Sequence, residues 1–82
     1  VKLKLWAPVC VEWSDAHGGD DGWQPFDPSH IATPVPITSV GLLAAQNRQG
    51  VTLVMSRNGI TNDIASYLFV PRVNIVSIRE LR

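Results

Sequence analysis

The sequence predicts an all-β fold of about five short strands. Three observations lead there. Apolar and polar residues alternate with period two over several short runs, and β-branched and aromatic residues are common in them. Turn-forming residues and prolines separate the runs. No stretch sustains the 3.6-residue period of an amphipathic helix.

The elements follow in order. Leu3 and Leu5 alternate with Lys2 and Lys4; beyond Pro8, Val9, Val11 and Trp13 alternate with Cys10, Glu12 and Ser14. The pattern predicts one strand or two short ones over residues 2–13, with Pro8 at a bend or an edge because it has no N–H to give a ladder. Residues 14–36 hold Gly18, Gly19, Gly22, Pro25, Pro28, Pro34, Pro36 and four aspartates, which predicts a long irregular loop. Asp27-Pro28 fits the start of one short helical turn reaching Ala32. A connection of this length in a small domain needs a reason, and Trp23 and Phe26 supply one: the loop docks on its own sheet or on a neighbour.

Residues 37–45 predict the next strand. It ends at Gln46-Asn47-Arg48-Gln49-Gly50, a hairpin loop with Gly50 available for a positive φ. Val51, Leu53 and Met55 alternate with Thr52, Val54 and Ser56 in a third strand, closed by the turn pair Asn58-Gly59. Residues 60–65 read as a loose loop. Tyr67, Leu68, Phe69 and Val70 form a continuous apolar strand, Pro71-Arg72 breaks it, and residues 74–81 resume as the last one.

Composition bounds the function. Eighty-two residues make one small domain, 45% hydrophobic and 17% charged, which excludes a disordered chain. Seven basic residues balance seven acidic ones, which excludes a strongly basic nucleic-acid domain. The balance is uneven along the chain. Residues 1–36 set Lys2 and Lys4 against Glu12, Asp15, Asp20, Asp21 and Asp27, a net of −3. Residues 37–82 set Arg48, Arg57, Arg72, Arg79 and Arg82 against Asp63 and Glu80, a net of +3. Either the halves neutralise each other, within one fold or between subunits, or the basic half presents an anion-binding face.

Cys10 stands alone, so an internal disulfide and a multi-cysteine zinc site are excluded, and a cytoplasmic location is expected. The apolar stretch after Lys2 and Lys4 is broken by Pro8 and Glu12, unlike a signal peptide, and no run approaches the ~18 apolar residues of a membrane span. His17 lies near Asp15, Asp20 and Asp21, but the spacing matches neither a calcium loop nor a paired-histidine site, and no metal or other cofactor is expected. Ser14, Asp15 and His17 are too close in sequence for a nucleophilic relay, Cys10 reads as a small buried hydrophobe, and no phosphate-cradling glycine loop precedes a helix. The expectation is a protein that is not an enzyme.

The second half carries one specific likeness. Residues 37–55, a strand with central Gly41, a turn and a second strand, resemble the first motif of the Sm-like (Sm, LSm and Hfq) superfamily. Residues 67–81, YLFVPRVNIVSIREL, resemble its second motif, with Ile75 and Ile78 at the apolar positions. The early Trp-Ser-Asp, the Trp-containing loop and the Val-Pro-Arg turn are similar to small phage-encoded members. The resemblance spans about 45 of the residues and implies a strongly bent, five-stranded Sm-like (SH3-like) barrel. The departures lie where the family binds RNA: Asn47 stands where Asp is usual, Val51 or Thr52 near the usual Asn, and Pro71-Arg72 in place of Arg-Gly.

The resemblance also implies a homo-oligomeric ring of about five to seven subunits, closed by head-to-tail pairing of strand edges. Tyr67, Leu68, Phe69, Val70, Ile75, Ile78 and Trp23 are then the interface candidates. Two functions fit. In one, the ring binds single-stranded RNA at its pore through Asn47, Arg48, Gln49, Arg72 and Asn74. In the other, the same barrel is an assembly adaptor that contacts another protein and no RNA. Convergence of Arg48 and Arg72 on one face favours the first; pairing of these arginines with Asp20, Asp21 or Asp27 of a neighbour favours the second.

Overall fold

The computed structural model describes residues 3–15, 22, 23, 25 and 34–81. Five strands form one antiparallel sheet: β1 Pro8–Asp15, β2 Val35–Gln46, β3 Gly50–Arg57, β4 Ile64–Pro71 and β5 Ile75–Glu80, with a 3₁₀ turn at Arg72–Asn74 joining the last two. The strand order is β4-β3-β2-β1-β5. The class is all-β, as the alternation predicts. The sheet is open among the described residues, with β4 at one edge and β5 at the other.

β2 is the longest strand because it serves two partners. Its first part, Val35 to Leu42, pairs with β1, and its last part, Leu42 to Gln46, pairs with β3. The handover falls at Leu42, beside Gly41, where a Cβ would sit 3.0 Å from the Val54 carbonyl oxygen and 3.2 Å from Leu53 Cβ. Two bulges add curvature. The β2–β3 register shifts between Leu43 and Ala45, and the β1–β5 register shifts at Glu12/Trp13, leaving Val76 without a partner.

Period two then sorts the side chains. Val9, Val11, Leu43, Val51, Leu53 and Val70 form one buried cluster, with Leu3, Trp13, Ile75 and Ile78 packed against it. All five strands contribute to this cluster or pack against it. Each fully buried side chain of this kind contributes roughly 1.5–3 kcal/mol. Cys10 is buried and free, in keeping with its reading as a small hydrophobe. Trp13 turns its ring inward and its Nε1–H donates to Ser39 Oγ at 3.0 Å.

Several expectations are corrected. Leu3 to Ala7 is no strand: Trp6 takes a left-handed φ of 67° and turns the chain, its N–H bonding the Leu43 carbonyl at 2.6 Å. This segment is held instead as a strap, by Gln46 Nε2 donating to the Leu3 carbonyl, by the Lys4 N–H on Glu80, and by the Arg57 guanidinium 4.1 Å over the Trp6 ring. β1 runs on to Asp15 and β2 begins at Val35, so the loop is shorter at both ends than 14–36. The helical turn expected from Asp27-Pro28, along with Phe26, lies outside the described residues, and Trp23 is fully exposed. The turn at Asn58-Gly59 is present, and the loop expected over 60–65 ends two residues earlier, where β4 begins at Ile64. The loop runs to Asp63, with Asn58 Oδ1 accepting the N–H groups of Ile60 and Thr61 and with Asn62 at φ 69°. No described glycine has a positive φ, Gly50 included.

Candidate functional site

The β2–β3 loop is built by Asn47. Its Oδ1 accepts the N–H groups of Gln49 at 2.8 Å and Gly50 at 3.2 Å, and its own N–H donates to the Gly50 carbonyl at 3.0 Å. An asparagine side chain closing its own turn in this way is a common device of short loops. The side-chain oxygen of Asn47 is thereby committed to structure.

The turn after β4 docks on this loop. The Arg72 N–H donates to the Gln49 carbonyl at 2.8 Å, and one guanidinium nitrogen of Arg72, Nη2, donates to the Asn47 carbonyl at 2.7 Å. Gly50 sits opposite Pro71 in the β3–β4 register, which brings the two loops to the same end of the sheet. Gln46, Asn47, Arg48 and Arg72 line an open hollow of about 540 Å³ there. Both arginines are exposed. A guanidinium has five N–H donors, so Arg72 can hold the loop and still present hydrogen-bond donors to an anion. Between Ile37 and Arg79 the sequence contains a single carboxylate, Asp63, in the loop that precedes β4. Among the described residues that line the hollow, the charged ones are Arg48 and Arg72, so its described lining is basic.

Of the five residues proposed for RNA contact, the fold brings Asn47, Arg48, Gln49 and Arg72 together and sets Asn74 apart. Asn74 is half-buried, and its Nδ2 donates to the Ser14 carbonyl at 2.7 Å, tying the 3₁₀ turn to β1. Gln46, which the sequence reading leaves in the hairpin loop as an ordinary polar residue, lines the hollow and anchors the N-terminal strap.

The interface candidates divide in the same way. Val70 is wholly buried in the core and has only its backbone to give another chain, whereas Ile75 and Ile78 are half-buried against that core. Tyr67, Leu68 and Phe69 on β4 are exposed, and Trp23 is uncovered. Elsewhere, a second open hollow of about 610 Å³ lies between the strap and the end of β2, lined by Leu3, Lys4, Leu5, Ala44, Ala45 and Gln46. Among the described residues no group of three or more His, Cys, Asp or Glu converges as a metal site, and His17, Asp20, Asp21 and His30 lie outside them. Among the described residues no helix is long and apolar enough to cross a membrane.

Comparison with known proteins finds no match: no family model, no curated protein and no solved structure is significantly similar to this chain.

Proposed function

We propose that this chain is a non-enzymatic, ring-forming Sm-like protein that binds single-stranded RNA at the end of the sheet where the β2–β3 loop meets the 3₁₀ turn. The observation that carries the reading is the convergence of Arg48 and Arg72 on one hollow, with no carboxylate in either loop. Phosphate contacts from such arginines give sequence-tolerant, salt-dependent binding. The strand order, the division of β2 between two partners at Leu42 and the 3₁₀ turn between β4 and β5 support the Sm-like part of the reading. Its ring part draws support from the two edges left unpaired among the described residues, β4 and β5, and most from β4, since an exposed edge free of charge is a template for pairing. β4 carries no charged residue along its whole length.

The test has two arms. Light scattering after size exclusion is expected to give a single species of about five to seven subunits; a monomer at micromolar concentration removes the ring. Fluorescence anisotropy with labelled U-rich and A-rich strands is expected to show binding at low salt, weakened in Arg72→Ala; absence of binding to both strands removes the RNA reading. The adaptor reading rests on the apolar side chains left in solvent at Trp23, Val73 and Val76. It gains if the ring forms, neither strand binds, and Trp23→Ala alters the assembly.

A further inference from the structure

We infer that Phe69, with Tyr67 beside it, is a base-stacking platform for the single-stranded nucleic acid whose phosphates Arg48 and Arg72 hold. The inference rests on the RNA-binding reading and gives that site its second component: a recognition of bases in addition to charge.

The two rings share one face of β4. Val70 and Leu68 pair with Val51 and Leu53 of the core, so Phe69 and Tyr67, paired with Thr52 and the buried Val54, lie on the alternate face of β4. That face leaves Phe69 45% and Tyr67 73% exposed. Aromatic rings of this size are ordinarily covered, and these two stand at alternate positions of one strand.

The glycine at the start of β3 places the first ring. A Cβ on Gly50 would lie 2.7 Å from Phe69 Cζ and 3.0 Å from Cε1, and would collide with the Val70 carbonyl oxygen. Phe69 therefore rests its outer end on bare backbone at Gly50. The Gly50 N–H is itself bonded to Asn47 Oδ1, and its strand partner Pro71 precedes Arg72. One end of the ring thus abuts the loop that carries Arg48, while much of its surface stays in solvent. This explains why a glycine occupies position 50 with an ordinary φ: the contact requires the absence of a side chain, not a left-handed backbone.

Charge and spacing select the occupant. Cationic donors next to an uncharged aromatic face match a polyanion with flat, stackable bases, and β4 itself has no charge to repel one. Two positions along a strand are roughly 7 Å apart, so Phe69 and Tyr67 each take a separate base of an extended strand. Pairing of the β4 edge with another subunit uses backbone groups and leaves this face open.

The test compares a labelled oligouridine of about 15 nucleotides with an abasic strand of the same length and charge. Stacking of ordinary strength predicts that the native protein binds the intact strand about tenfold more tightly or better. Phe69→Leu is expected to remove most of that advantage without changing abasic binding, and Phe69→Trp to retain it. Irradiation of a 5-iodouridine strand is expected to cross-link to Phe69 or Tyr67. Equal affinity of the native protein for intact and abasic strands overturns the platform and leaves the phosphate site standing. Binding of neither strand overturns both. A Phe69→Leu protein with unchanged RNA affinity and an altered subunit number assigns the aromatics to assembly, which also overturns the platform.

Discussion

Gly50 and Gly41 answer different questions at the scale of single residues. Both sit in ordinary extended backbone, and both are glycine because something else occupies the space of a side chain. At Gly50 that space belongs to a carbonyl oxygen and a ring; at Gly41 it belongs to the neighbouring strand, closer than ordinary van der Waals contact. Gly50→Ala is expected to destabilise the protein by about 2–3 kcal/mol, because β4 would have to move, and Gly41→Ala by about half as much. Urea denaturation of the two variants checks both the sizes and the order. Asn47→Ala removes the acceptor of two backbone N–H groups in the β2–β3 loop. Its expected cost is about 1 kcal/mol, together with weaker RNA binding, since Arg72 docks on the carbonyl of the same residue. A glycine after a polar run reads in sequence as a turn residue, and only the packing of Phe69 reveals the other reason for it.

Elements were legible to the extent that their alternation was local. The run Val9-Cys10-Val11-Glu12-Trp13 reads as a half-buried strand, and it is one. Leu3 and Leu5 show the same alternation without forming a strand, because Trp6 turns the chain and nothing in the sequence marks a tryptophan for a left-handed φ. The start of β4 was hidden by Asn58, Gly59, Asn62 and Asp63, which suggest an open loop, although the β3–β4 ladder already begins at Arg57 and Ile64. The division of β2 between two partners, and hence the curvature, depends on bulges that alternation does not encode. The element that tests association is β5. Val76 sits at its bulge, 70% exposed, on one of the two edge strands of the described sheet. Val76→Lys is expected to leave stability within about 0.5 kcal/mol and to block edge pairing, as lysines do on natural edge strands. Light scattering and thermal melting of the variant separate the two effects; an assembly that survives the lysine removes β5 from the interface.

At the scale of the whole molecule, neutrality conceals a division of labour. The second half folds into most of the sheet and, apart from Asp63 and Glu80, is basic. The sequence made this asymmetry visible as a count along the chain. It could not show that Arg48 and Arg72 meet, because 24 positions separate them and only the β3–β4 ladder brings their loops together. Nor could it show that Asn74 is held by β1. If these two arginines hold phosphate, the salt dependence of RNA binding must report both of them. With a U-rich strand, the slope of log K against log salt concentration is expected to become shallower by about 0.7 in each of Arg48→Ala and Arg72→Ala, with affinity lowered alike for U-rich and A-rich strands. Slopes equal to that of the native protein in both variants would contradict the account.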